Sequence, residues 1–99
     1  MSSEALTMRT DDEIMAFLGR RLRALRKSQR LTTVEAAAGA GLSRRTVYSA
    51  EHGDNPTLQT LVRLLRLYGR LDALQAFVPE PEISPMAILE SKRRRSGRA

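Results

Sequence analysis

The chain has 99 residues, 41% of them hydrophobic and only 4% aromatic, and a formal net charge of +6. That length accommodates one domain with short tails around an aliphatic core of Leu, Val, Ile and Ala. The absence of cysteine excludes disulfide staples, thiolate metal sites and a cysteine nucleophile, and no apolar run approaches the roughly 20 residues of a membrane span.

Residues 1–9 have no periodic pattern and are expected to be a flexible end. Thr10-Asp11-Asp12-Glu13 has the form of a capping box, in which Thr10 accepts from the backbone and Glu13 reaches back. Ile14, Phe17, Leu18, Leu22 and Leu25 follow at helical spacing and give one apolar stripe to a helix over residues 11–28. Thr32 is suited to cap a second helix ending at Ala40, and Gly41 suits the left-handed conformation beyond it. Leu42 is expected to plug the core, and Ser43 caps a third helix over residues 44–51. Gly53-Asp54-Asn55-Pro56 is a turn cluster. Thr57 caps a fourth helix, ended by Gly69, whose Leu58, Leu61, Val62, Leu64 and Leu65 are expected to face inward. A fifth helix is expected over residues 71–78, stopped by Pro79-Glu80-Pro81, and Ser84-Pro85 suits the start of a short sixth. With no strand pattern, the expected fold is all-α. It comprises a domain over residues 10–78, a Pro-rich arm with a short helix over 79–91, and a basic disordered tail over 92–99.

Charge is concentrated in the middle. From Arg20 to Arg70 eleven Arg and Lys stand against Glu35, Glu51 and Asp54, while most other acids lie nearer the two ends. Such a middle fits either a solvated surface or a polyanionic partner, of which nucleic acid is the usual one. Residues 33–53 favour the second. Ala37 is small enough for two helices to cross closely, Gly41 takes positive φ at little cost, and Val47 points back to lock the angle. Two short helices joined by so tight a turn form a helix-turn-helix unit.

Residues Leu18 to Leu74 resemble the Xre/Cro-type helix-turn-helix domain of lambdoid phage repressors and many bacterial regulators. The resemblance is carried by Leu22-Arg23-Ala24-Leu25-Arg26, Leu31-Thr32, Ala37, Gly41-Leu42-Ser43-Arg44-Arg45-Thr46-Val47, Glu51-His52-Gly53 and Asn55-Pro56-Thr57-Leu58. It implies a five-helix, lambda-repressor-like fold whose third helix enters the major groove of double-stranded DNA. On that basis Arg44 and Arg45 take the first base-reading positions, with Tyr48 and Ser49 one turn further. Thr33, Ser43, Thr46, His52 and Asn55 are then expected to face the DNA backbone. The resemblance also implies a structural ion pair between Arg26 and Glu51 beneath the reading face. Ala36, Ala40 and Ala50 stand where the family commonly has larger residues, which implies a shallower core with Phe17, Leu22, Leu42 or Leu61 moving in.

Members of that family usually bind palindromic sites as homodimers, so a transcriptional regulator, and a repressor in particular, is the expected function. Leu71, Leu74, Phe77 and Val78 either close the monomer core or form the dimer contact, and the second is expected. In the arm, Ile83, Met86, Ile88 and Leu89 are anchors for a sister subunit or another protein. The arm is also similar to tails of regulators encoded beside HipA-type toxin kinases. That similarity implies, as an alternative, an antitoxin that binds a toxin kinase partner and autoregulates its operon. An enzyme fits poorly: there is no phosphate-binding glycine loop followed by Lys-Ser/Thr, no nucleophile placed near a base, and no second metal ligand for His52. No cofactor and no metal are expected. A polar, acidic N-terminus unlike a signal peptide points to a cytoplasmic location.

Overall fold

A computed structural model describes residues 3–82 and 84–96. Those residues form no strand and seven helices: α1 (Ser3–Thr7), α2 (Asp11–Ser28), α3 (Thr33–Ala40), α4 (Arg44–Glu51), α5 (Leu58–Leu67), α6 (Ala73–Phe77) and α7 (Pro85–Ser96). Helix α4 packs on α2, α3 and α5, and α3 packs on α5. No helix of the described residues is long and apolar enough to cross a membrane.

The four helices of the bundle begin where a hydroxyl can accept an otherwise orphaned N–H. Thr10, Thr32, Ser43 and Thr57 all have extended backbone and accept from the N–H of Glu13, Glu35, Thr46 and Thr60. Glu13 and Glu35 return the bond and complete capping boxes. Their carboxyls are held below the ordinary carboxylate range, first by the backbone N–H they accept.

Leu22, Ala36, Ala37, Val47, Ala50, Leu64 and Tyr68 form the buried core, and Leu25, Leu31, Leu42, Leu61 and Leu65 pack against it. The alanines of α3 and α4 leave the space into which α5 delivers Leu64 and its C-cap delivers Tyr68, two of the largest fully buried side chains. Leu58 is 68% exposed, against expectation, because it is the first residue of α5 and that stripe reaches the core only from Leu61 onward.

Three further differences lie at the ends. Residues expected to be flexible contain α1, whose Glu4 complements the helix dipole and whose Leu6 is half-buried. Helix α6 starts two residues late, because Ala73 and Leu74 bond back to Arg70 and Leu71 in a tight turn. Helix α7 continues through Lys92-Arg93-Arg94-Arg95, where a disordered tail is expected. Pro85 suits the first helical position, Lys and Arg are good helix formers, and cations favour the C-terminal end.

At two glycines the helices approach until backbone meets backbone. A Cβ on Gly19 of α2 would lie 2.5 Å from the carbonyl oxygen of Glu51, and one on Gly53 would lie 2.7 Å from the backbone of Met15. The two glycines let α2 touch the end of α4, and Gly53 also holds a left-handed φ of 69°. Gly19→Ala is therefore expected to lower the unfolding free energy by about 1–3 kcal/mol in urea titrations, despite the better helix propensity of Ala. Gly39→Ala is the control, since its Cβ would meet only the tip of the Leu67 side chain, and it is expected to cost far less. Equal stability of the Gly19 variant and the parent would show that the two backbones do not touch.

Candidate nucleic-acid interface

The corner between α3 and α4 is built from backbone geometry. Gly41 has φ 68° and ψ 36°, a left-handed conformation that costs glycine little. Its N–H donates to the Ala38 carbonyl, and the Leu42 N–H donates to the Ala37 carbonyl at 2.9 Å, which closes the end of α3 in a Schellman arrangement. From α5, the Arg63 Nη1 donates to the Gly41 carbonyl at 3.0 Å and pins the turn from outside. Ser43 then starts α4: its Oγ accepts from the Thr46 N–H at 3.1 Å and shares a second bond of 2.8 Å with the Thr46 hydroxyl.

Helix α4 has two distinct sides. Val47 and Ala50 are buried in the core, and Glu51 is buried beside them. Arg44, Arg45 and Tyr48 are exposed. No acid accompanies the two arginines in the first turn, and neither has an ion-pair partner among the described residues. Tyr48 is 57% exposed, with its ring stacked on His52 at 4.0 Å between centroids. The His52 Nδ1 lies 2.8 Å from the Tyr48 carbonyl, which can only accept, so Nδ1 carries a proton.

A family model described as a helix-turn-helix domain matches residues 18–77, more than half of the chain. The chain belongs to that helix-turn-helix family. Comparison with curated proteins found no match.

Within this helix-turn-helix domain the expected Arg26–Glu51 pair is formed. The Arg26 Nε and Nη2 donate to the two carboxylate oxygens of Glu51 at 2.6 and 3.0 Å, a bidentate fork, and Nη1 donates to the Leu31 carbonyl at 2.8 Å. Both residues are buried. The hydrogen bond to Glu51 drives the Arg26 pKa up, against the opposing effect of burial. Tyr68 packs in the same core, and its hydroxyl has no hydrogen-bond partner among the described residues. Burial pushes that hydroxyl up to about 12, and the Glu51 carboxylate acts in the same direction. Its place follows from the apolar series Leu61, Leu64, Leu65 and Tyr68, which continues one helical step beyond Leu65.

Of the residues expected to meet DNA, Ser43, Arg45, Thr46, Ser49 and Asn55 surround one shallow depression of about 260 Å³. Asn55 holds a left-handed φ of 44° there. Asp54 and Thr57 join it, residues that the sequence marks for a turn and a helix cap rather than for DNA contact. Arg44, Tyr48 and His52 are exposed outside that depression, and Thr33 is the half-buried first residue of α3. Nothing in the sequence marks Arg63, because its bond to Gly41 exists only once α5 lies across the corner. Leu71 and Leu74 are half-buried, while Phe77, Val78, Met86, Ile88 and Leu89 are exposed. Ile83 lies outside the described residues.

Glu51→Gln removes the charge that balances Arg26 and is expected to lower stability by up to about 3–5 kcal/mol. An unchanged melting temperature would show that the pair contributes nothing. Because the Tyr68 pKa is higher folded than unfolded, the folded state holds its proton longer than the unfolded state does. This contribution is complete below the ordinary pKa of 10.0 and is lost as pH rises through about 12. Denaturant midpoints measured across that window should fall in the parent and fall less in Tyr68→Phe.

Proposed function

We propose that the protein is a sequence-specific DNA-binding transcriptional regulator, acting as a repressor, that reads a palindromic operator as a homodimer through α4. The observation that carries this reading is the pair Arg44 and Arg45. Two exposed cations sit in the first turn of a helix, against its dipole, with no counter-ion among the described residues. An anion reaching that end relieves the repulsion, and the major groove is wide enough to admit a helix that presents it. Arginine then holds the O6 and N7 of guanine, a contact that discriminates by about 1–3 kcal/mol.

In this reading Arg44 and Arg45 contact base edges first, with Tyr48 and Ser49 following one turn on. Ser43 and Thr46 share one hydrogen bond between two hydroxyls, so one hydroxyl proton remains to donate to a phosphate oxygen. Thr33 and Asn55 approach the backbone from either side of α4. His52 faces the DNA backbone with Nε2, since Nδ1 already donates to the Tyr48 carbonyl. Dimer contacts come from the region after Gly69, where Phe77 and Val78 are exposed, and a two-fold pair sets the two reading helices about 34–36 Å apart, one turn of DNA. Such a regulator acts in the cytoplasm, where its operator lies.

Selection from a random DNA pool tests the proposal. The parent should enrich a near-palindromic motif, and Arg44→Ala and Arg45→Ala should each relax the preference at defined positions. Binding should also weaken steeply with added salt. Mutants that retain the full motif would remove base reading from these arginines, and a parent that enriches nothing would remove sequence-specific binding altogether.

A further inference from the structure

An apolar groove of about 400 Å³ runs between α2, α5 and α6. Leu18, Leu25, Leu61, Leu65, Leu74 and Phe77 line it, with Arg21 and Arg70 beside them and no carboxylate. No residue of α3 or α4 takes part, so the groove is separate from the reading surface. We infer that, in a pair of copies, this groove receives the first turns of α7 from the other copy, each copy lending its arm to its partner. The inference rests on the homodimer proposed above and gives that dimer its contact.

The arm matches the groove in chemistry. Met86, Ile88 and Leu89 are 67%, 44% and 47% exposed, so α7 presents three unburied apolar side chains within its first turns. Every described side chain from Phe77 to Arg93 is exposed, and α7 is not among the closely packed helix pairs. Glu80, Glu82 and Glu90 flank the apolar turns, opposite in sign to the groove, and the Lys92-Arg93-Arg94-Arg95 run lies beyond them at the far end of α7. Arg21 has no ion pair among the described residues, and the bond from Arg70 to Asp72 is an exposed one of 3.2 Å. Solvated pairs of that kind are exchanged at little cost.

The linker decides which copy is served. Val78, Glu80 and Ser84 each precede a proline, and the proline ring drives the preceding residue toward extended backbone. Val78 shows it, with φ −126° and ψ 87°. The segment 78–84 contains no glycine to reverse the chain, and it spans about 20 Å when extended. Because Phe77 already lines the groove, an arm returning to its own groove has to turn back within that segment. An extended arm carries α7 away from its own bundle. Two-fold exchange covers both grooves and both arms in one step.

The chain has no cysteine, which makes thiol cross-linking specific. Ala24→Cys places a thiol at the groove, and Ser91→Cys places one on α7, three residues beyond Ile88. Full-length copies carrying one substitution each are mixed, only one of them isotopically labelled, and bridged with a short bismaleimide. The expected product is a mixed species at twice the 11.1 kDa chain mass, lost when Met86→Asp and Leu89→Asp are added to the arm-bearing copy. Those two substitutions should weaken self-association at least about tenfold in sedimentation equilibrium, since buried Met and Leu side chains contribute on that scale. A dimer with no mixed cross-link overturns the exchange and leaves the homodimer standing, with the arm free for another protein. Cross-linking within a single chain that carries both substitutions, at the mass of one chain, also overturns it in favour of an arm folded back. A monomer at every concentration overturns exchange and homodimer together.

Discussion

The arrangement of this domain depends on one guanidinium. Arg26 leaves α2 near its end, holds both oxygens of Glu51 at the end of α4, and reaches the Leu31 carbonyl in the link to α3. The end of α2, the link that follows it and the end of α4, twenty-five residues away in sequence, are thereby fixed at one point. A buried ion pair is a weak source of net stability, because desolvating two charges offsets much of their attraction. What it supplies is direction. The planar fork accepts a carboxylate in few orientations, so the end of α4 cannot rotate about its own axis without stranding a charge.

Steric contact constrains the same end of α4. The absence of a side chain at Gly19 and Gly53 lets the α2 backbone touch the α4 terminus, and the alanines of α3 and α4 keep that side of the bundle thin. The volume that small residues give up is taken by Leu64 of α5 and by Tyr68 at its C-cap. Leu22, one of the residues expected to move in, is buried, Leu42 and Leu61 pack at its edge, and Phe17 instead lies under the Arg21 guanidinium at 5.0 Å. A short helix of this kind has little stability of its own. It is held by its neighbours on one side, and the other side is left to solvent.

Charge follows the same division. Glu51 is neutralised inside, while Arg44 and Arg45 stand outside at the positive end of α4 without acids in its first turn. The carboxylates of Glu13 and Glu35 are committed to the capping boxes of α2 and α3. Local hydrogen bonding thus keeps those two acids occupied, and Arg44 and Arg45 have no ion-pair partner among the described residues.

Much of the bundle was legible in the sequence because it depends on local chemistry. Thr10, Thr32, Ser43 and Thr57 mark helix starts through bonds that span three residues, Gly41 marks a corner through its own φ, and the stripe from Ile14 to Leu25 marks a helix by its period. The Arg26–Glu51 pair was reached through family resemblance, since twenty-five residues of separation leave no local trace. The bond from Arg63 to Gly41, the backbone contact at Gly19, the depression shared by Arg45, Ser49 and Asn55, and the groove beneath Leu18 and Phe77 were not legible at all. The sequence by itself determined where helices begin, where the chain turns and which charges it carries, because each of those follows from neighbours a few bonds away. Only the tertiary structure decided which surfaces meet and which stay open, because that depends on the distances between helices, which side-chain volumes throughout the bundle set together.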